Sequence, residues 1–241
     1  VNLLLFDIDG TLLDTGGAGL RALRDAWIEE FDLRDRTHDF PRLDLAGSTD
    51  SGIVRFLFDH FGMEHDPDRT GRFFHRYAGH LRRELAADHG PRRGRLLPGV
   101  TQLMASLRAA EGSHALGLLT GNTAEGARTK VEHFGLGGIF GFGAYGDDHH
   151  DRNELGPVAL QRARHHTGRD FAPDRVFVIG DTPKDIRCAR ACGAWAIAVA
   201  TGSYSRAELE THEPDEIFDD FTDAEAFCDV IDRLPEPRAS D

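Results

Sequence analysis

Apolar positions along the chain follow two different periods, and the switch between them divides the sequence. Residues 3–6, Leu-Leu-Leu-Phe, form a short unbroken apolar run, the pattern of a strand buried on both faces of a parallel sheet. From residue 20 the period becomes helical. Leu20, Leu23, Ala26, Trp27, Glu30 and Phe31 make a mostly apolar stripe, Ile53, Val54, Leu57, Phe58 and Phe61 a second, and Phe73, Phe74, Tyr77 and Leu81 a third, over 68–87. Each repeats every three to four residues, as one face of a helix does. Ser48, Thr49 or Asp50 is placed to cap the second helix. Residues 32–45 are polar and irregular, and 88–95 are rich in Gly, Pro and Arg. The stretch 15–96 therefore reads as an all-α insertion.

Beyond Leu97 strand and helix patterns alternate. Strands are predicted at 115–119, 139–145, 175–179 and 194–199, with Ile217-Phe218 extended near the end. Helices are predicted at 103–110, 124–134, 155–167, 183–192, 205–210 and 223–234. Such alternation predicts an α/β fold, a parallel sheet covered by helices on both faces. Residues 1–14 and 97–241 would form that core, and only the last few residues look disordered.

Three predicted strands end in polar groups at the same relative place. The first runs into Asp7, Asp9 and Gly10, another into Thr120-Gly121-Asn122, and a third into Gly180-Asp181. Parallel strands bring such ends to one edge of the sheet, where open α/β sheets bind ligands. Asp7 and Asp9, at i and i+2, point to the same side of a strand. Two carboxylates held beside an apolar sheet repel each other and need a cation, a shared proton, or both. Asp and Gly are also ordinary turn residues, and Thr120 alone would serve equally as a helix cap. The weight rests on the coincidence of three strand ends. Gly16, Gly17 and Gly19 precede the first helix and suit a hinge or a plain turn.

Composition excludes several function classes. The chain has 241 residues, 40% of them hydrophobic, and a formal net charge of −13. That length and apolar content support a substantial core, and the acid excess argues against a general nucleic-acid binder. No apolar run approaches a membrane span, and no basic region precedes the first one. The first run is read as a strand and not a signal peptide, so a soluble, cytoplasmic protein, monomer or homodimer, is expected. Of 28 basic residues only Lys130 and Lys184 are lysine. A salt-rich cell interior and GC-rich codon usage would each account for that deficit. Cys188, Cys192 and Cys228 are an odd number and no disulfide framework. The pairs His149-His150 and His165-His166 lack the spacing of helical zinc sites and are read as solvated.

The residues Phe6-Asp7-Ile8-Asp9-Gly10-Thr11-Leu12-Leu13-Asp14-Thr15 resemble the nucleophile motif of the haloacid-dehalogenase-like hydrolase superfamily, in the wording of its phosphatase branch. Leu118-Leu119-Thr120-Gly121-Asn122 is similar to its second motif, and Gly180-Asp181-Thr182-Pro183-Lys184-Asp185 to its fourth. The resemblance spans residues 1 to about 232, and the insertion sits where that family carries its first type of helical cap. It implies a Rossmann-like core and hydrolysis of a small phosphorylated substrate, phosphoglycolate-phosphatase-like in wording. Asp7 would be the nucleophile and Asp9 the general acid and base. Gly10, Thr11, Gly121 and Asn122 would surround the phosphoryl group, with helix-terminal amides favouring the anion, and Thr120 would donate to it. Mg²⁺ would lie on Asp7, Asp181 and the Asp9 backbone carbonyl, with Asp185 a ligand through water or an orienter. The third motif departs from the family: residues 147–155 contain no Lys. Arg152 is assigned its cation role, with Lys184 as the alternative. A phosphomutase keeps both Asp7 and Asp9 and stays open as a second activity. A dehalogenase has no use for Asp9, and a phosphonatase needs a cap lysine that 15–96 lacks.

Overall fold

The structure, a computed structural model, describes residues 1–87, 89–110 and 112–234. The chain end for which disorder was expected lies outside these residues. In chain order the strands are β1 (Asn2–Phe6), β2 (Leu13–Asp14), β3 (Arg95–Leu96), β4 (His114–Leu119), β5 (Phe142–Ala144), β6 (Val176–Gly180), β7 (Trp195–Val199) and β8 (Glu216–Phe218). The helices are α1 (Ala18–Phe31), α2 (Asp50–Phe61), α3 (Pro67–Ala86), α4 (Val100–Ala109), α5 (Ala124–His133), α6 (Leu155–Thr167), α7 (Pro183–Ala191), α8 (Arg206–Glu210) and α9 (Ala224–Arg233).

Six strands form one sheet in the order β5-β4-β1-β6-β7-β8, every neighbouring pair parallel. β1 is central because its apolar run can be covered on both faces. Leu4 and Phe6 join Phe177, Ile179, Ile197 and Val199 under α4 and α9. Leu3 and Leu5 join Val176, Val178, Ala196 and Ala198 against α6 and α7. Alternate residues of each strand thus enter opposite layers, as the pleat requires. Phe6 is level with Leu118 on one side and Ile179 on the other. That register delivers Asp7, Thr120 and Asp181 to one edge of the sheet.

Residues 18–86 contain helices and no strand. They hold an apolar cluster of their own, in which Trp27 packs on Phe31, Phe58, Phe61 and Phe73. Where the chain leaves and rejoins the sheet, β2 and β3 pair antiparallel, Leu13 with Leu96 and Asp14 with Arg95. This two-residue ribbon was not foreseen, since two residues carry no period. Thr49 is the cap of α2, accepting from the Gly52 amide. The strand predicted at 139–145 pairs only over Phe142–Ala144, because it is an edge strand and only 117–119 of β4 face it. Leu20, assigned to the apolar stripe of α1, is instead 42% exposed and borders the cavity described next.

Candidate active site

A cavity of about 660 Å³ opens between the carboxyl edge of the sheet and the helical insertion. Asp7, Asp9, Thr120, Asn122, Lys130, Arg152 and Asp181 line its sheet side; Leu20, Leu45, Ile53 and Tyr77 line the other. Asp7 follows β1 directly, and its amide donates to the Ile179 carbonyl at 2.9 Å. The side chain is buried. Burial, reinforced by Asp185 and Asp9 and opposed by Arg152 and Thr120, raises its pKa to about 6. Asp181 is buried at the end of β6 and accepts from the Thr11 hydroxyl at 3.0 Å. Its pKa is raised well above the usual range, by burial first and then by Asp185 and Asp7.

Asp7, Asp181 and Asp185 each present an oxygen within 4.8 Å of the others. Three buried carboxylates repel one another, and a hard all-oxygen set of this kind suits Mg²⁺. The residues present therefore fit the ion that the resemblance implied. Asp185 stands behind the other two. Its Oδ1 accepts from Arg152 at 2.5 Å, and its Oδ2 accepts from the Thr182 amide and hydroxyl at 3.0 and 2.6 Å, closing a capping box on α7. Gly10 turns the chain away with φ near +79°, and a Cβ there would lie 2.4 Å from Asp181 Oδ2. Only glycine satisfies both conditions.

Arg152 begins a 3-10 turn just before α6, and its side chain is buried. Nη2 lies 3.2 Å from Asp7 Oδ1 as well as 2.5 Å from Asp185. Burial alone would lower its pKa; Asp185 and Asp7 reverse that and hold it charged. Nη1 donates to the Gly47 carbonyl at 3.4 Å and Nη2 also to the Leu119 carbonyl at 3.2 Å. Both Nη groups are thus spent on Asp7, Asp185 and backbone, while the buried Nε has no hydrogen-bond partner among the described residues. The other candidate cation lies elsewhere: Lys184 Nζ donates to the Ala46 carbonyl and the Ser48 hydroxyl, both at 2.8 Å, and to Asp44 at 3.3 Å.

Thr120 is fully buried. Its hydroxyl is hydrogen-bonded to Asp7 and accepts from Asn122 Nδ2 at 2.8 Å. The helix predicted after it, over 124–134, forms from Ala124 to His133. Thr123 is the cap of α5, and the amides of Thr123 and Ala124 donate to Asp50 and Asp147, at 2.8 and 2.9 Å. Carboxylates of this chain thus occupy these two amides, and the Asn122 amide, which the sequence offered to an incoming anion, donates to Thr120 Oγ1 at 3.3 Å. Gly121 meets the insertion: its carbonyl accepts from the Asp50 amide at 2.7 Å, and a Cβ would lie 1.9 Å from the Ser48 carbonyl oxygen. Asp50 is buried in this seam, which raises its pKa to about 6 despite the charge of Lys130.

Lys130 was missed. It lies on the buried side of α5, 3% exposed, and Nζ donates to Asp9 Oδ1 and Oδ2 at 2.8 and 2.7 Å and to Asn122 Oδ1 at 2.5 Å. Asp9 therefore turns its side chain to α5 and not to the three grouped carboxylates. One signal was available: Lys130 falls between Ala127 and Val131 on the inward stripe of a short helix, in a chain with two lysines. The cysteines are free, and burial pushes the Cys188 thiol up to about 12.

The parallel sheet covered by helices, with buried carboxylates grouped at its carboxyl edge beside a cavity, is the architecture of an α/β enzyme. A family model for haloacid dehalogenase-like hydrolases matches residues 1–193, and the chain belongs to that hydrolase family. It is 26% identical over 217 residues to a phosphoglycolate phosphatase of Nitrosococcus oceani, covering 90% of this chain and 92% of the relative. Among solved structures, a hydrolase from Pseudomonas syringae matches with a TM-score of 0.68 at 21% identity, covering 96% of this chain and 99% of that one. CbbY from Rhodobacter sphaeroides, solved with xylulose-(1,5)bisphosphate, matches with a TM-score of 0.68 at 22% identity, covering 92% and 96%. These structures share the fold. Among the described residues no helix is long and apolar enough to cross a membrane.

Proposed function

We propose that this protein is a Mg²⁺-dependent phosphatase that hydrolyses a small phosphomonoester through an aspartyl-phosphate intermediate. The observation that carries the reading is the buried group of Asp7, Asp181 and Asp185, with Arg152 against Asp7 and Asp9 beside it. Residues 15–96 act as a cap over residues 1–14 and 97–241. Asp7 and Asp181, backed by Asp185 and joined by the Asp9 carbonyl, would hold the ion, which when bound would supply positive charge to the phosphoryl oxygens and the nucleophile.

Asp7 attacks phosphorus in line; the new Oδ–P bond forms as the ester P–O bond breaks, and Asp9 gives its proton to the leaving oxygen. Asp9, now a carboxylate, takes a proton from water as the water oxygen attacks phosphorus. The bond to Asp7 breaks, and inorganic phosphate and the Asp7 carboxylate are released. Thr120 donates to a phosphoryl oxygen, Arg152 holds the charge of Asp7, and Gly10, Thr11, Gly121 and Asn122 shape the phosphate end of the cavity. The cap excludes water and large substrates. The setting is the cytoplasm.

The test is a screen of phosphorylated metabolites with the purified protein, read by inorganic phosphate release. Phosphoglycolate is the first compound to try, given the Nitrosococcus oceani relative. Asp7→Asn should abolish turnover and acid-stable labelling by substrate phosphate. Transfer of phosphate to a second position on a sugar, without release, would replace hydrolysis by a mutase activity. Full turnover in EDTA would end the metal assignment.

A further inference from the structure

We propose that Lys130 is the positioning residue of Asp9, setting where the proton-carrying carboxyl points; this rests on the phosphatase reading above. An ammonium has three protons to donate. Here all three are used: both Asp9 oxygens accept, at 2.8 and 2.7 Å, and so does Asn122 Oδ1, at 2.5 Å. Asn122 closes the figure from the other end. Its Nδ2 donates to Asp9 Oδ2 at 2.7 Å and to Thr120 Oγ1 at 2.8 Å. An unbroken path of hydrogen bonds therefore runs from Lys130 through Asp9 and Asn122 to Thr120, whose hydroxyl meets Asp7. The acid and the nucleophile are held in one network although their side chains point apart.

Burying an ammonium is strongly unfavourable unless it is fully paired, so Lys130 is not an incidental surface lysine folded inward. Asp9 has the opposite problem. Its side chain is 42% exposed to the cavity, and without a partner it is free to rotate towards solvent. Both of its proton transfers need the carboxyl at one place, on the leaving-group side of phosphorus, and displacements near 1 Å are expensive in catalysis. The clamp meets that need. It also explains why lysine survives here in a chain otherwise supplied with arginine. A compact ammonium offers tetrahedral donors to two carboxylate oxygens and one amide oxygen; a guanidinium is a flat, larger fork. Gly19 of α1 lies against the ammonium: a Cβ there would sit in van der Waals contact, 3.6 Å from Nζ and 3.9 Å from the Tyr77 hydroxyl.

The experiment compares Lys130→Met with Asp9→Asn on phenyl and p-nitrophenyl phosphate, whose leaving groups differ in their need for a proton. Lys130→Met should lower kcat on phenyl phosphate by roughly 10²-fold and on p-nitrophenyl phosphate by less than tenfold, the selectivity expected when acid catalysis is impaired. The double variant should be no slower than Asp9→Asn alone, because both changes remove one function. Ethylamine should restore part of the activity of Lys130→Ala, which a merely structural role would not allow. Equal losses on both esters, or losses that multiply in the double variant, overturn the proposal while leaving the phosphatase reading intact. If Asp9→Asn itself loses equally on both, the role of Asp9 fails and this inference falls with it. Thermal melts establish that each variant is folded; should Lys130→Met not fold, Lys130→Arg, which keeps the charge without the three-point geometry, is read by the same comparison.

Discussion

Removing Arg152 gives the most demanding test of the site. In the native structure its guanidinium lies 2.5 Å from Asp185 and 3.2 Å from Asp7, and all three side chains are buried. Asp181 adds a third carboxylate to the same group. Arg152→Met keeps most of the volume and leaves those carboxylates without their cation. Breaking a buried ion pair from one side costs about 3–5 kcal/mol. For a chain of this size each kcal/mol moves Tm by about 2–4 °C, so a fall of roughly 6–20 °C is expected in EDTA. Mg²⁺ should return part of it, because the ion neutralises the same oxygens. Loss of the charge beside Asp7, the proposed nucleophile, should lower kcat by about 10²-fold or more, and Arg152→Lys should recover part, restoring charge without the fork. Differential scanning fluorimetry with and without Mg²⁺, and steady-state rates on p-nitrophenyl phosphate, provide both numbers. A Tm within about 2 °C of wild type in EDTA, with kcat preserved, would refute the reasoning.

The remaining predictions concern the seam between the helical insertion and the sheet edge. Lys184→Ala should leave kcat within about fivefold, as among the described residues its ammonium ties Asp44, the Ala46 carbonyl and Ser48, and Asp44 is exposed; a crippled enzyme would return the cation role to Lys184. Asp50 is buried with its pKa raised to about 6 from 3.8, so the folded state prefers its protonated form and stability is lost as pH rises from about 4 to 6. Urea unfolding at pH 4 and pH 7 should show the stability of wild type relative to Asp50→Asn falling by about 2–3 kcal/mol over that interval; a constant difference would contradict it. Gly121→Ala places a Cβ 1.9 Å from the Ser48 carbonyl and should cost about 1–3 kcal/mol in unfolding free energy by overpacking; an unchanged Tm would show that the 48–50 segment moves away freely.

Much of this protein is determined by local sequence. The run Leu3–Phe6 cannot be solvated, so it is a covered strand, and a strand covered on both faces lies inside a sheet. The stripes through Trp27, Leu57 and Tyr77 dictate helices. Asp7 and Asp181 are legible as candidate site residues because each follows a buried strand in a parallel sheet, and the strand ends come together wherever the sheet forms. Arg152 was legible only as the nearest cation to a missing lysine; its contact with Asp7 across the sheet depends on α6 and α7 packing on one face. What the tertiary structure alone decided are contacts between elements remote in sequence. Lys130 and Asp9 are 121 residues apart, and nothing local to either names the other. The Asn122 amide looked free for a phosphate, yet it donates to Thr120 Oγ1, and Asp50 and Asp147 reach the next two amides from other segments. Leu20 looked like core, since periodicity reports which side of a helix is apolar but not whether a neighbour or a cavity faces it. Local patterns select elements through backbone geometry and burial; which polar groups satisfy one another is settled only when packing brings those elements together.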